Sequence, residues 1–240
     1  MEMLGLAAFW VQLGAIIWIN LLVSGDNAVM IALAARSLPV EQQKLAVFWG
    51  SAAAVILRVI LTIFAVALLT LPWLKLIGGA LLLWIGVKLL APRQDDVEFS
   101  AHDKLWLAIR TILIADLIMS LDNVIAVAAA ANSAASTPDL ENMKYVLLIL
   151  GLAISIPVVI FGSVIMLKVM ERFPIIIALG AALLGWIAGD IMVTDPVIAD
   201  WVQHNAAWLR EWHAAPIAGA VFVTACGRWT RREFKAPGTP

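Results

Sequence analysis

Apolar residues fill this chain in long stretches separated by short polar clusters. Six stretches, at about 10–35, 45–71, 73–91, 105–131, 145–167 and 174–193, reach or nearly reach the roughly 20 residues that a helix needs to cross a bilayer core of about 30 Å. A seventh, AAPIAGAVFVTACG at 214–227, is shorter and is bracketed by Trp212 and Trp229, aromatic residues of the kind that anchor helices at membrane interfaces. Between the sixth and seventh, VIADWVQHNAAWLREWH sets Trp201, Trp208 and Trp212 among polar residues, which predicts an amphipathic helix lying in the interface. The pattern predicts an all-α polytopic membrane protein with seven transmembrane helices.

Composition agrees with the pattern. Of 240 residues, 63% are hydrophobic and 14% charged, and the mean hydropathy is +0.96; soluble domains hold only about 45–50% apolar residues. A net charge of -1 leaves no basic surface, so nucleic acid is excluded as a partner and the lipid bilayer takes its place. The single cysteine, Cys226, rules out an intramolecular disulfide framework and reads as a packing residue. The first residues, MEMLGLAAFWVQLG, lack the basic segment of a signal peptide and run straight into a span, so they are expected to remain in the mature chain.

Basic residues set the orientation. Arg36, Lys44, Lys88, Arg93, Lys104, Lys168, Arg172, Arg228, Arg231, Arg232 and Lys235 fall on one side of seven spans, eleven against the three of Lys75, Lys144 and Arg210 on the other. Cytoplasmic loops carry the excess of Lys and Arg. The N-terminus is therefore expected outside and the C-terminus in the cytoplasm.

The chain also repeats itself. NLLVSGDNAVMIALAAR, from Asn20, and DLIMSLDNVIAVAAAAN, from Asp116, align at a shift of 96 and match Ser24 to Ser120, Asp26 to Asp122 and Asn27 to Asn123. At a shift of 102, Pro72, Gly78 and Trp84 align with Pro174, Gly180 and Trp186. Residues 1–91 thus read as one three-helix repeat, 92–104 as a cytoplasmic linker and 105–193 as a second repeat. Residues 194–213 form an external amphipathic segment, and 214–240 the seventh span with a basic tail. Because three is odd, the second unit enters from the opposite face, and inverted repeats of this kind place transporter sites near the bilayer midplane.

The Asp-Asn pairs lie where such a site is expected. An ionised carboxylate at that depth costs at least roughly 2.5–3.5 kcal/mol and needs a cavity or a partner, and Asp26, Asp116 and Asp122 are three. On straight helices Asn20, Ser24 and Asn27 share a face, as do Asp116, Ser120 and Asn123, while Asp26 and Asp122 point about 120° away. Local unwinding at Gly25 would ease that conflict in the first half; Leu121 holds the equivalent place in the second. Carboxylate, amide and hydroxyl oxygens without nearby His or Cys are hard ligands, suited to Mg²⁺, Ca²⁺ or Mn²⁺.

Other polar residues have narrower readings. Arg58 lies inside an apolar span and pairs with one of the carboxylates, either to discharge the empty site or for structure alone. Arg110 is expected to snorkel to the cytoplasmic surface. Asp190 reads as a surface carboxylate, with a gate or proton-accepting role as the alternative, and the glycine pair Gly78-Gly79 as a close helix contact. His102, His204 and His213 are too scattered to form a metal cluster. No nucleophile elbow, phosphate loop, HExxH or CxxC pattern is present, and neither an enzyme nor a prosthetic group is expected.

The segments INLLVSGDNAVMIALAARSLP and IADLIMSLDNVIAVAAAA, with GGALLLWIGVK and GWIAGD closing the halves, resemble the TerC integral membrane proteins, in particular their short YjbE-like bacterial branch. The resemblance covers roughly residues 10–193. It implies a place in the lysine exporter superfamily and a link to manganese export, to metal supply for exported proteins, or to tellurite resistance. Carried over, it implies that Asp26, Asn27, Asp122 and Asn123 bind the ion, with Asp116 and Asn20 beside them. Many relatives carry an acidic residue where this chain has Asn20, which bears on the preference between Mn²⁺ and Ca²⁺. The expectation is a multi-pass protein of the bacterial inner membrane that exports Mn²⁺ by alternating access, with protons as counter-ions. A Ca²⁺/H⁺ exchanger-like transporter, an exporter of an organic substrate and a non-transporting metal-supply factor are the rivals. Tellurite, an anion, would be repelled by three aspartates.

Overall fold

The computed structural model describes residues 7–23, 25–64, 71–91, 101–135 and 144–233; within these, the side chains of residues 7–8, 19–23, 63, 101–102, 122–135, 144–145, 148, 155 and 231–233 are not described. The described residues form ten helices and no strand. They are α1 (Ala7–Val23), α2 (Gly25–Ala35), α3 (Val40–Ile63), α4 (Leu74–Leu90), α5 (Ala101–Ala135), α6 (Lys144–Arg172), α7 (Ile175–Met192), α8 (Ala199–Asn205), α9 (Trp208–Glu211) and α10 (Ala214–Glu233). The amphipathic segment expected over 194–213 supplies the short helices α8 and α9, with Trp201, Trp208 and Trp212 exposed.

Prolines punctuate these helices as local chemistry requires. Pro39 stands immediately before α3, and its carbonyl accepts the amides of Gln42 and Gln43; Pro174 stands before α7 in the same way. Neither needs the N–H it lacks, because the first amides of a helix have no intrahelical acceptor. Pro157 lies inside α6, a position tolerated in bilayer helices when neighbouring groups satisfy the freed carbonyl.

Among the described residues three helices are long and apolar enough to cross a membrane, over Val40–Thr62, Ile149–Arg172 and Ile175–Met192, and two shorter apolar helices cover Phe9–Trp18 and Gly25–Ala35. Their polarity is inside out. On α3, Leu45, Phe48, Trp49, Ile56 and Ile60 are exposed while Gln43, Ser51 and Arg58 are buried. A soluble protein could not leave so much contiguous apolar surface open, whereas lipid tails solvate it at no cost.

The helices before and after the linker pack reciprocally: α3 lies on α5, and α6 lies on α1 and α2. The glycines aligned by the repeat make the same exchange. A Cβ on Gly78 of α4 would meet Ile118 of α5, and one on Gly180 of α7 would meet Val29 and Leu33 of α2. Gly79 lies equally close to Ala188 and Met192, so α4 and α7 touch nearly backbone to backbone. Helix α10 then closes on α7 and α4.

A carboxylate absent from the sequence reading ties the two halves at one end. Asp195 is fully buried, and its Oδ1 accepts the amides of Val197 at 2.9 Å and Trp73 at 3.2 Å, while Oδ2 accepts those of Lys75 at 3.0 Å and Leu76 at 3.1 Å. It thereby caps the start of α4 from the turn that follows α7, in place of a local cap; Trp73, at φ 68°, turns the chain into the helix. Lys75, counted by sequence among exposed external charges, is buried and donates through Nζ to Thr194 Oγ1 at 3.0 Å. Burial pushes the Asp195 carboxyl up, but the four amides outweigh it and hold the group below the usual carboxylate range. A folded-state pKa below the unfolded value means stability that is present above about pH 4 and lost as pH falls through the folded value. Asp195→Ala is expected to destabilise by roughly 1–2 kcal/mol, as loss of a helix cap does, and to flatten acid sensitivity below pH 4. Unfolding of the purified protein as a function of pH checks both.

Candidate functional site

Both Asp-Asn motifs lie on helices. In the first half Asp26 and Asn27 lie on α2, which is described from Gly25 on. Asp26 Oδ1 accepts the Asn27 amide at 2.8 Å. In the second half α5 runs unbroken from Ala101 to Ala135 through the whole motif. Gly25 does not adopt a positive φ.

Around Asp116 the structure assembles a buried polar cluster. Arg58, from α3, donates through Nη2 to Asp116 Oδ1 at 2.6 Å and through Nε to Ser120 Oγ at 3.1 Å. The Ser120 hydroxyl in turn donates to Asp116 Oδ2 at 3.2 Å, one helical turn along α5. All three residues are almost inaccessible, at 3%, 1% and 0% exposure for Arg58, Asp116 and Ser120. The charges of Arg58 and Asp116 both act on half-buried Asp26. Three elements, α2, α3 and α5, thus bring two carboxylates, a hydroxyl and a guanidinium to one place.

Asn27 is 1% exposed, and neither its Oδ1 nor its Nδ2 has a hydrogen-bond partner among the described residues. An unmet buried amide costs about 1–3 kcal/mol for each unsatisfied group, so it is seldom left without a purpose. Ser51, on the Arg58 face of α3 about two turns away, carries a buried hydroxyl that is also unmatched among the described residues. Sequence reasoning passed over Ser51, although a serine within GSAAAVIL was a visible signal.

Not every expected site residue joins the cluster. Asp190 is exposed on α7, as the surface reading had it, and Arg110 is exposed on α5. Ser24 and the side chains of Asn20, Asp122 and Asn123 lie outside the described residues. Among the described residues no three His, Cys, Asp or Glu side chains gather into a metal-holding group. What the cluster offers is two carboxylates, Asp26 and Asp116, beside the amide of Asn27, all hard oxygen donors.

The integral membrane protein TerC family matches residues 6–235. Among similar proteins is the uncharacterized membrane protein YjbE of Bacillus subtilis (strain 168), 41% identical over 198 residues, which are 82% of this chain and 86% of that protein. YkoY of the same organism, also described as an uncharacterized membrane protein, is 23% identical over 216 residues, 83% of this chain and 66% of its own. YceF, so described as well, is 26% identical over 127 residues, 49% of each chain. No solved structure matches the chain. With a match along nearly its whole length and a 41% identical relative, the chain belongs to the integral membrane protein TerC family.

Proposed function

We propose that this protein is a secondary transporter that exports a divalent cation, Mn²⁺ before Ca²⁺, from the cytoplasm of a bacterium across its inner membrane. Seven spans arranged as two inverted repeats, with the N-terminus outside, belong to the same reading. The observation that carries it is the unmet buried amide of Asn27 beside Asp26, next to the Asp116 cluster. An oxygen-only donor set in a buried place suits a hard divalent ion, and two or three carboxylates bring its charge near to neutral. In this reading Asp26, Asn27, Asp116, Asp122, Asn123 and Asn20 surround the ion at some stage of its passage, with Ser24 and Ser120 as supporting hydroxyls. Protons are the natural counter-ions.

The test is flux of Mn²⁺, Ca²⁺, Mg²⁺ and Zn²⁺ in proteoliposomes, with and without a pH gradient. The wild type is expected to move Mn²⁺ selectively, and the Asp26→Asn, Asp122→Asn double variant to lose at least nine-tenths of that flux. Binding without flux in the wild type would replace the transport reading with a metal-supply role. Asn27→Leu separates site from scaffold. It removes an unsatisfied amide, so the melting temperature is expected to stay level or rise, while Mn²⁺ binding falls at least tenfold.

A further inference from the structure

We propose that Arg58 is a tethered counter-cation of this site: its guanidinium holds Asp116 when no ion is present and releases it when a divalent cation enters. The proposal rests on reading the site as one for a divalent cation. A positive group already stands where the ion's charge would be wanted, 2.6 Å from Asp116 and close enough to act on Asp26.

Electrostatics forces the competition. Arg58 and Asp116 are 3% and 1% exposed, so little water screens them, and a guanidinium and a divalent ion on the same carboxylate would repel strongly. Lysine could escape by losing its proton, but arginine stays charged at any physiological pH and must move instead. The geometry provides for that movement. Arg58 donates separately through Nη2 to Asp116 and through Nε to Ser120, so contact with the carboxylate can be surrendered while the serine still holds the side chain. Ser120 also donates to Asp116, and hence holds both partners of the pair. The empty site is then never an uncompensated carboxylate in an apolar interior, and the ion's apparent affinity is lowered by the work of displacing the arginine.

The sign of an affinity change tests this. Full-length protein in detergent would be titrated calorimetrically with MnCl₂ as wild type, Arg58→Lys and Arg58→Gln, with thermal unfolding recorded for each with and without Mn²⁺. If Arg58 competes with the ion, Arg58→Gln binds at least tenfold tighter than wild type and is stabilised more by Mn²⁺, and Arg58→Lys falls between the two. If Arg58 only positions Asp116 for the ion, the order is reversed, and a reversed or flat order overturns the proposal. Should Arg58→Gln not fold, Arg58→Lys alone decides, since it must bind a few-fold tighter than wild type. A wild type that binds no Mn²⁺, Ca²⁺ or Mg²⁺ would instead defeat the divalent-cation reading from which the proposal starts.

Discussion

Replacing Asp116 by Ala is expected to cost the fold roughly 3–5 kcal/mol, the usual penalty for removing one partner of a buried ion pair. The loss would come less from the missing bond than from what remains. Arg58 would keep its charge at 3% exposure after losing the carboxylate that Nη2 holds at 2.6 Å. Asp116→Asn should cost less, because an amide oxygen can still accept from the guanidinium. The pair Asp116→Asn with Arg58→Gln should recover most of the Asp116→Ala loss, since two neutral amides can hydrogen-bond without burying a charge. Thermal unfolding of the four proteins in one detergent measures the set. Equal stability of Asp116→Ala and wild type would show that the ion pair contributes nothing to the fold.

The second large effect is expected at Gly219. A Cβ there would run into the Gly185 carbonyl oxygen and lie 3.3 Å from the Gly189 amide, with backbone on every side and no flexible side chain to yield. A Cβ on Gly189 would meet the Ala215 carbonyl in the same way. Helices α7 and α10 therefore meet along a seam of glycines, the close approach that small residues permit between bilayer helices. Gly219→Leu should prevent α10 from seating and destabilise by at least the roughly 3 kcal/mol that marks the upper range of overpacking. Gly14→Ala is the matched control, because nothing lies within 4 Å of its Cβ position and it should be close to neutral. Recovery of monodisperse protein after extraction, followed by a melting curve, distinguishes the two.

Much of this site was legible because bilayer burial makes polar residues conspicuous. Asp116, Ser120 and Arg58 stood out as charge or hydroxyl in apolar runs, and the i to i+4 spacing of Asp116 and Ser120 put them on one face of what proved to be an unbroken helix. The choice of Asp116 as partner for Arg58 was not legible, since it depends on α3 lying against α5 rather than on any spacing within either. Asp195 escaped for a related reason. Its partners are backbone amides some 120 residues earlier, and amides leave no signature in a sequence. The nearest signal was its place directly after a span and before Pro196, where a solvated turn was the simpler reading.

Asp195 also limits how this molecule can deform. Because one carboxylate takes amides from both the α7–α8 turn and the first turn of α4, those two helix ends cannot slide or splay without breaking several hydrogen bonds at once. At the opposite end of α4, Arg36 Nη2 bonds the Leu89 carbonyl at 2.7 Å and ties down the far end of α2. Mechanically, α4 and α7 form one strut, clamped at one end by Asp195 and bound at the other to the end of α2 by Arg36.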